Sequence, residues 1–186
     1  MKKLFVCILS ISITGSFLGC ATLSKNECLE ASWFEIGRKD GAMGKPRALI
    51  QEHSEACKKH GAPPDRDAYY KGRNEGLKSY CTKDNGFKQG RLGRSYQHVC
   101  PSELEGRFLA GFVKGMKIRK YELKITSLKR RLETIENEVK RKEEKLFSHR
   151  LSDDQRTKIR SDIRSLDIEY RDVVRELKYL RKTKPI

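Results

Sequence analysis

The chain has 186 residues and carries 41 Lys and Arg against 25 Asp and Glu, a formal charge of +16. Aromatic residues make up 8%, with a single Trp, so one large core is excluded, and a small compact unit joined to something extended is predicted. The most apolar run, Leu4 to Leu18, is interrupted by polar residues and falls short of the roughly 20 residues that a bilayer span requires.

Lys2 and Lys3 precede that run, which makes residues 1–19 read as a signal peptide. It ends not on A-x-A but on Phe17-Leu18-Gly19-Cys20, which resembles the lipobox of bacterial lipoproteins. The resemblance implies that Cys20 carries the lipid, palmitate included, and becomes the first mature residue. Ala21 stands where an Asp would retain such a protein in the inner membrane, so the periplasmic side of the bacterial outer membrane is the expected location. Without Lys2 and Lys3 the count is 39 against 25, a charge of +14. In a cytoplasmic chain that surplus would suggest nucleic acid. Behind such a leader the expected partners are the membrane, through the anchor, and anionic headgroups or an anionic envelope polymer, with no nucleic acid.

Cys7 leaves with the leader, so Cys28, Cys57, Cys81 and Cys100 remain for an oxidising compartment. Asn26 to Met43 reads as one helix, Gly44-Lys45-Pro46 breaks it, and a second helix runs from Pro46 to about His60. An antiparallel turn near residue 43 would set Cys28 beside Cys57. The same reasoning about Gln89 and Gly90 pairs Cys81 with Cys100. Zinc at Cys57-x-x-His60 and His98-x-Cys100 is the competing use of these thiols, disfavoured by secretion and by the short second spacing.

Between the cysteines a pattern repeats. Phe34-x-x-Gly37-x-x-x-Gly41 recurs as Tyr69-x-x-Gly72-x-x-x-Gly76 and Phe108-x-x-Gly111-x-x-x-Gly115, with a degraded copy at Phe87-x-x-Gly90-x-x-Gly93. The spacing puts each aromatic and its glycines on one helix face. Interior helical glycine costs about 1 kcal/mol against alanine, so so many need a reason. Close helix packing is one; a glycine-floored, aromatic-walled ligand groove is the other.

The run Cys28, Trp33, Gly37, Asp40-Gly41, Gly44, Cys57, Gly61, Pro64-Asp65, Tyr70, Gly72, Gly76-Leu77, Tyr80-Cys81, Gly86, Gly90, Gly93, Tyr96, Val99-Cys100 and Phe108 with Gly111 resembles a family of bacterial lipoproteins, domain of unknown function 2799. The resemblance covers about residues 20 to 120. It implies an envelope lipoprotein and supplies no activity, cofactor or catalytic residue.

Toward the carboxyl terminus the character changes. Ser102-x-x-Glu105 reads as a capping box, and after Gly115 neither glycine nor proline occurs until Pro185. Ile118, Tyr121, Ile125, Leu128, Leu132, Ile135, Val139, Lys142 and Leu146 alternate by three and four, the seam of a coiled coil. A second box at Ser152-x-x-Gln155 opens a matching seam: Ile159, Ile163, Leu166, Tyr170, Val173, Leu177 and Leu180. A turn near residue 151 aligns Tyr121 with Leu180, Ile125 with Leu177, Leu128 with Val173, Leu132 with Tyr170 and Ile135 with Leu166. It also sets Lys124 against Glu176, Arg131 against Glu169, Glu122 against Arg181 and Glu143 against Arg160. The expected fold is all-α: a disulfide-linked, glycine-rich helical domain over 20–117 and an antiparallel hairpin over 118–186.

No catalytic arrangement emerges. The four histidines are expected at the surface, and nothing in the spacing selects a pair among Asp40, Asp65, Asp67 and Glu75. No metal or cofactor is expected. The role expected is structural or protein-interacting, with the basic arm meeting a protein partner or an envelope polymer. The alternatives are a periplasmic binding module for an anionic envelope ligand, or an unrecognised enzyme.

Overall fold

The structure, a computed structural model, describes residues 22–148 and 150–185. Among the described residues seven helices follow one another: α1 (Lys25–Glu30), α2 (Trp33–Ala42), α3 (Leu49–Lys58), α4 (Arg66–Tyr80), α5 (Lys83–Leu92), α6 (Ser102–Leu146) and α7 (Asp153–Lys182). The all-α expectation holds. Most starts are set by local chemistry. Ser24 and Glu27 form a capping box on α1, Asp65 accepts from Ala68 N–H at the head of α4, and Thr82 accepts from Asn85 N–H at the head of α5. Gly44 and Gly93, at φ 66° and 70°, end α2 and α5 in the left-handed region.

Four sequence expectations are corrected. The single helix over Asn26 to Met43 is two, because Ala31 and Ser32 are extended. That break lets Cys28, Trp33 and Ile36 converge on one cluster with Leu23 and Cys57. The second helix begins at Leu49, with Pro46 in the turn before it. Gln89 and Gly90 lie inside α5 rather than at a turn. The Ser102 box is absent: Pro101 is the N-cap of α6, and the Ser102 hydroxyl instead donates to Glu103.

Both disulfides form as paired in the sequence reading, Cys28 with Cys57 and Cys81 with Cys100, at Cα separations of 5.3 and 5.7 Å. The helix geometry behind them differs from two antiparallel hairpins. α2 packs on α4 and α5 on the start of α6, and both pairs run parallel. Gly37 faces the Tyr69 carbonyl, and Gly41, one turn further on, faces the Arg73 carbonyl. α3 is the crossover of the first pair. The loop over 94–101 returns the chain for the second.

The contact is reciprocal throughout. Gly37 and Gly41 sit on the carbonyls of Tyr69 and Arg73, while Gly72 and Gly76 sit on those of Phe34 and Arg38. Gly86 and Gly90 sit on Phe108 and Phe112, while Gly111 and Gly115 sit on Lys83 and Phe87. Each glycine thus covers the carbonyl three residues before its opposite number. A Cβ at any of the eight would fall within 3.0 Å of that oxygen. Only glycine permits this approach, in which backbone Cα–H groups meet carbonyls directly. The fourth copy of the repeat is therefore Gly86 with Gly90, and Gly93 is a cap.

A shared core joins the two pairs. Leu77 and Cys81 from the end of α4 meet Val99, Cys100, Phe108 and Phe112, and the Tyr80 ring stacks on Phe108 at 5.4 Å.

α6 runs unbroken through residue 117, so the arm is the continuation of a body helix. At about 1.5 Å per residue its 45 residues measure roughly 68 Å. α7 returns beside it, and Leu128, Ile135, Leu166, Val173 and Leu177 form the buried seam with Ile125, Leu132, Val139, Tyr170 and Leu180 against them. Lys124 meets Glu176 at 2.9 Å and Arg131 meets Glu169 at 2.6 Å, as the registry predicts. Glu122 instead turns back to Arg91, at 2.6 Å, tying arm to body, and Asp162 is taken by Lys142 at 2.7 Å. Ser152 and Gln155 form the expected box.

Candidate functional site

Cys20, the predicted lipid site, lies outside the described residues. The predicted groove can be followed residue by residue. Gly37, Gly41, Gly72, Gly76, Gly111 and Gly115 each lie under the backbone of a neighbouring helix, so their floor is filled by protein. Tyr69 and Phe108 are fully buried, and Phe34 stands 36% exposed at the edge. Phe108 is packed against Tyr80, Tyr96 and Phe112, with Tyr96 at 5.0 Å and Phe112 at 5.9 Å. These residues are a packing device, and the ligand-groove expectation is corrected by it. The Cys57 and Cys100 thiols, weighed above as zinc ligands, are oxidised.

What the helix interlock does create is a buried polar cluster. Asp40 is carried beside Gly41 into the α2–α4 contact and is 5% exposed. Its Oδ2 accepts from the Tyr69 hydroxyl at 2.9 Å and lies 2.9 Å from His53 Nε2. His53, from α3, is 3% exposed, and its Nδ1 lies 2.8 Å from Thr22 Oγ1. The expectation of a surface histidine is wrong here. Ile50, His53 and Cys57 share the buried stripe of α3, and the helix faces inward at every one of them. Burial, followed by the bond to Asp40, pushes the Tyr69 hydroxyl well above the ordinary range, so it remains a donor.

A hydroxyl, an imidazole and a carboxylate in series can activate a nucleophile. In this cluster the carboxylate also serves Tyr69, and the imidazole is enclosed, so the series acts as a fastening. It holds the chain at Thr22, and Leu23, 8% exposed, packs beside Cys28 and Cys57. The other acids weighed for catalysis stand apart: Asp65 caps α4 and Glu75 pairs with Lys78.

Arg73, next to Gly72, is carried inward by the same contact and is 5% exposed. Its Nη2 donates to the Lys45 carbonyl at 2.7 Å, whereas its Nε is buried without a partner. Burial lowers its proton affinity, and the neighbouring Arg47 charge adds to that. Sequence reasoning missed Asp40, His53 and Arg73 as a set. Their signal was position, since each occupies the buried stripe defined by the glycines or by Ile50 and Cys57.

No curated protein and no solved structure matches this chain. Residues 32–117 match the model of a family described as "Protein of unknown function (DUF2799)". That segment contains both glycine-interlocked pairs, and it stops where the arm begins. The family match covers residues 32–117, a little under half of the chain.

Proposed function

We propose that this is a lipid-anchored bacterial envelope protein, held through Cys20 on the periplasmic side of the outer membrane, whose basic arm presents an interaction surface. The observation that carries the reading is the fastening of Thr22 to buried His53, together with burial of Leu23. Only one residue separates Thr22 from Cys20, a reach of at most about 7 Å of extended chain. A lipid on Cys20 would therefore seat the body against the membrane rather than on a loose tether, and give a defined origin to the arm. Two disulfides in so small a body suit an oxidising compartment. Among the described residues no helix is long and apolar enough to cross a membrane.

The arm's apolar seam is consumed between α6 and α7, which leaves its charged faces outward. Residues 101–186 hold 24 Lys and Arg against 15 Asp and Glu, a local charge of +9. Such a face suits an acidic protein or an anionic envelope polymer. Mass spectrometry of the mature amino terminus is the test of the anchor: an acylated Cys20 is expected, and a free terminus at another residue overturns it. For the arm, cell-wall sacculi and membrane extracts are challenged with the mature protein with and without residues 118–186. Retention should require the arm and weaken steeply as salt shortens screening below about 8 to 10 Å. Salt-independent retention, or retention without the arm, would count against the interaction role.

A further inference from the structure

Away from the anchor and the arm, a cavity of about 350 Å³ opens where α4, the turn before α3 and the loop before α6 meet. Arg47, Arg73, Asn74, Gln97 and His98 supply its polar lining, and no carboxylate is part of it. Arg73 is the unusual member. Enclosing a guanidinium that is not fully paired is unfavourable, yet this one is 5% exposed with Nε unpartnered, and the Asp40 charge acts on it only from a distance. The Asp40 carboxylate on the far side of the α2–α4 contact is engaged by His53 and Tyr69. Among the described residues, neither Arg73 nor Arg47 has a carboxylate within 4.0 Å.

The surroundings are arranged rather than loose. The Arg47 guanidinium stacks on the Tyr70 ring at 4.3 Å, which fixes its plane. His98 is held at φ 51°, the left-handed region, and among the described residues it is the one non-glycine found there. Its ring lies 4.8 Å from that of Tyr96, and the loop is tied down by the Cys81–Cys100 bond and by Cys100 N–H donating to the Tyr96 hydroxyl. The acid beside His98 is Glu105, at 3.5 Å; it also accepts from Tyr96 and stands outside the lining.

We infer that this cavity is a binding site for a phosphate group, free or as a small phosphomonoester, gripped by Arg73 and Arg47 with Asn74, Gln97 and His98 around it. Two fixed positive charges with no acid between them select a dianion, and planar guanidinium forks match phosphate oxygens two at a time. The volume exceeds a bare phosphate ion and falls in the lower range of small-ligand pockets, which leaves room for a small substituent. This site is independent of the anchor and of the arm.

The test uses the mature chain with Cys20→Ser, labelled with ¹⁵N and titrated with inorganic phosphate and with glycerol 3-phosphate at matched ionic strength. The Arg73 Nε–H resonance should move saturably with either probe and stay still with chloride. Arg47→Gln, at an exposed position, gives up only the stack on Tyr70 and so should lower the thermal melt slightly, while weakening binding about tenfold, the worth of one charge-assisted contact. Arg73→Gln should abolish it. An Arg73 resonance unmoved by both probes, or equal affinity in the Arg47→Gln protein, overturns the site. Phosphatidylcholine vesicles with and without phosphatidic acid then distinguish sources. Competition by the phosphatidic acid vesicles identifies a lipid headgroup as the phosphate carrier, whereas its absence with retained binding of the free probes identifies a soluble one.

Discussion

The body and the arm solve the same problem, holding helices side by side, with opposite materials. In the body the helices touch through backbone, glycine against carbonyl, and the side chains that matter are those squeezed out of the contact. In the arm they touch through a seam of Leu, Ile, Val and Tyr, and backbones stay apart. A seam of side chains can absorb a lost methyl by local relaxation, whereas a backbone contact has nothing to give. The same difference explains where polar groups go. Backbone contact carried Asp40 and Arg73 inward beside glycines, so the body acquired buried polar groups. The arm sends its charges outward, where they pair across the seam or stay free.

The sharpest way to break this comparison is a single methyl. Gly72→Ala places a Cβ against the Phe34 carbonyl, and the helix must retreat along its whole length. A destabilisation of about 3 kcal/mol is expected from overpacking. Gly106→Ala, in the same kind of helix but with nothing within 4 Å, should stabilise by about 0.5 to 1 kcal/mol. Thermal melts of the two variants decide it, and equal effects would mean the glycine interlock is not what holds the body.

In the arm, Ile135→Ala removes the most deeply buried seam residue, 1% exposed, and should cost about 3 kcal/mol. The loss should be confined to the hairpin. Hydrogen exchange ought to show faster exchange in α7 and the distal half of α6, with α2 and α4 still protected. Light scattering across concentration adds a second reading of the seam. If Leu132→Asp converted a dimer into a monomer, the seam would be closing between chains rather than within one.

How much of this was legible in the sequence follows from the same contrast. A side-chain seam writes itself into the sequence, and the arm's registry, its turn and the pairs Lys124–Glu176 and Arg131–Glu169 follow from periodicity alone. A backbone contact writes only the absence of side chains. Glycine spacing announced close approach but carries no direction, since the pattern reads alike for parallel and antiparallel helices. The pairing of Cys81 with Cys100 came out correctly by another route: a parallel pair matches residues at a constant offset, and these two cysteines meet because each lies just before one of the paired helices. Asp40, His53 and Arg73 were hidden by their type: a charged residue in a charged helix reads as solvated until the glycines beside it are known to be covered.

The fastening of the amino-terminal segment gives a smaller, local effect. His53→Ala leaves Asp40 with Tyr69 alone and Thr22 without a partner, at a cost of about 1 to 3 kcal/mol for the stranded carboxylate. Thr22→Val spares Asp40 and should lower the melt less. Both should speed tryptic cleavage at Lys25 relative to cleavage within α4. Unchanged cleavage at Lys25 would show that Leu23 and the Cys28–Cys57 bond hold the segment without the hydroxyl.

The smallest expected effect is the arm's response to acid, and its sign follows from its ion pairs. The Arg131 guanidinium holds the Glu169 carboxyl below its ordinary value of 4.5, and the Lys142 ammonium holds Asp162 below 3.8. Carboxyls depressed in the folded state contribute stability that is present above their unfolded pKa and is lost as pH falls through the folded one. Lowering the pH from about 5, above the ordinary carboxyl values, toward about 3, below them, should therefore loosen the hairpin. These groups are exposed and screened by salt, so the change should be slight and shrink at high ionic strength. The α5–α6 glycine contact is backbone against carbonyl, with no carboxyl in it, so protection of α5 should persist where that of α7 declines. Hydrogen exchange at pH 5 and pH 3.5, corrected for intrinsic rates, separates the two. A hairpin whose protection is flat across that window would mean that the seam alone sets its stability and that its cross-helix pairs only choose its register.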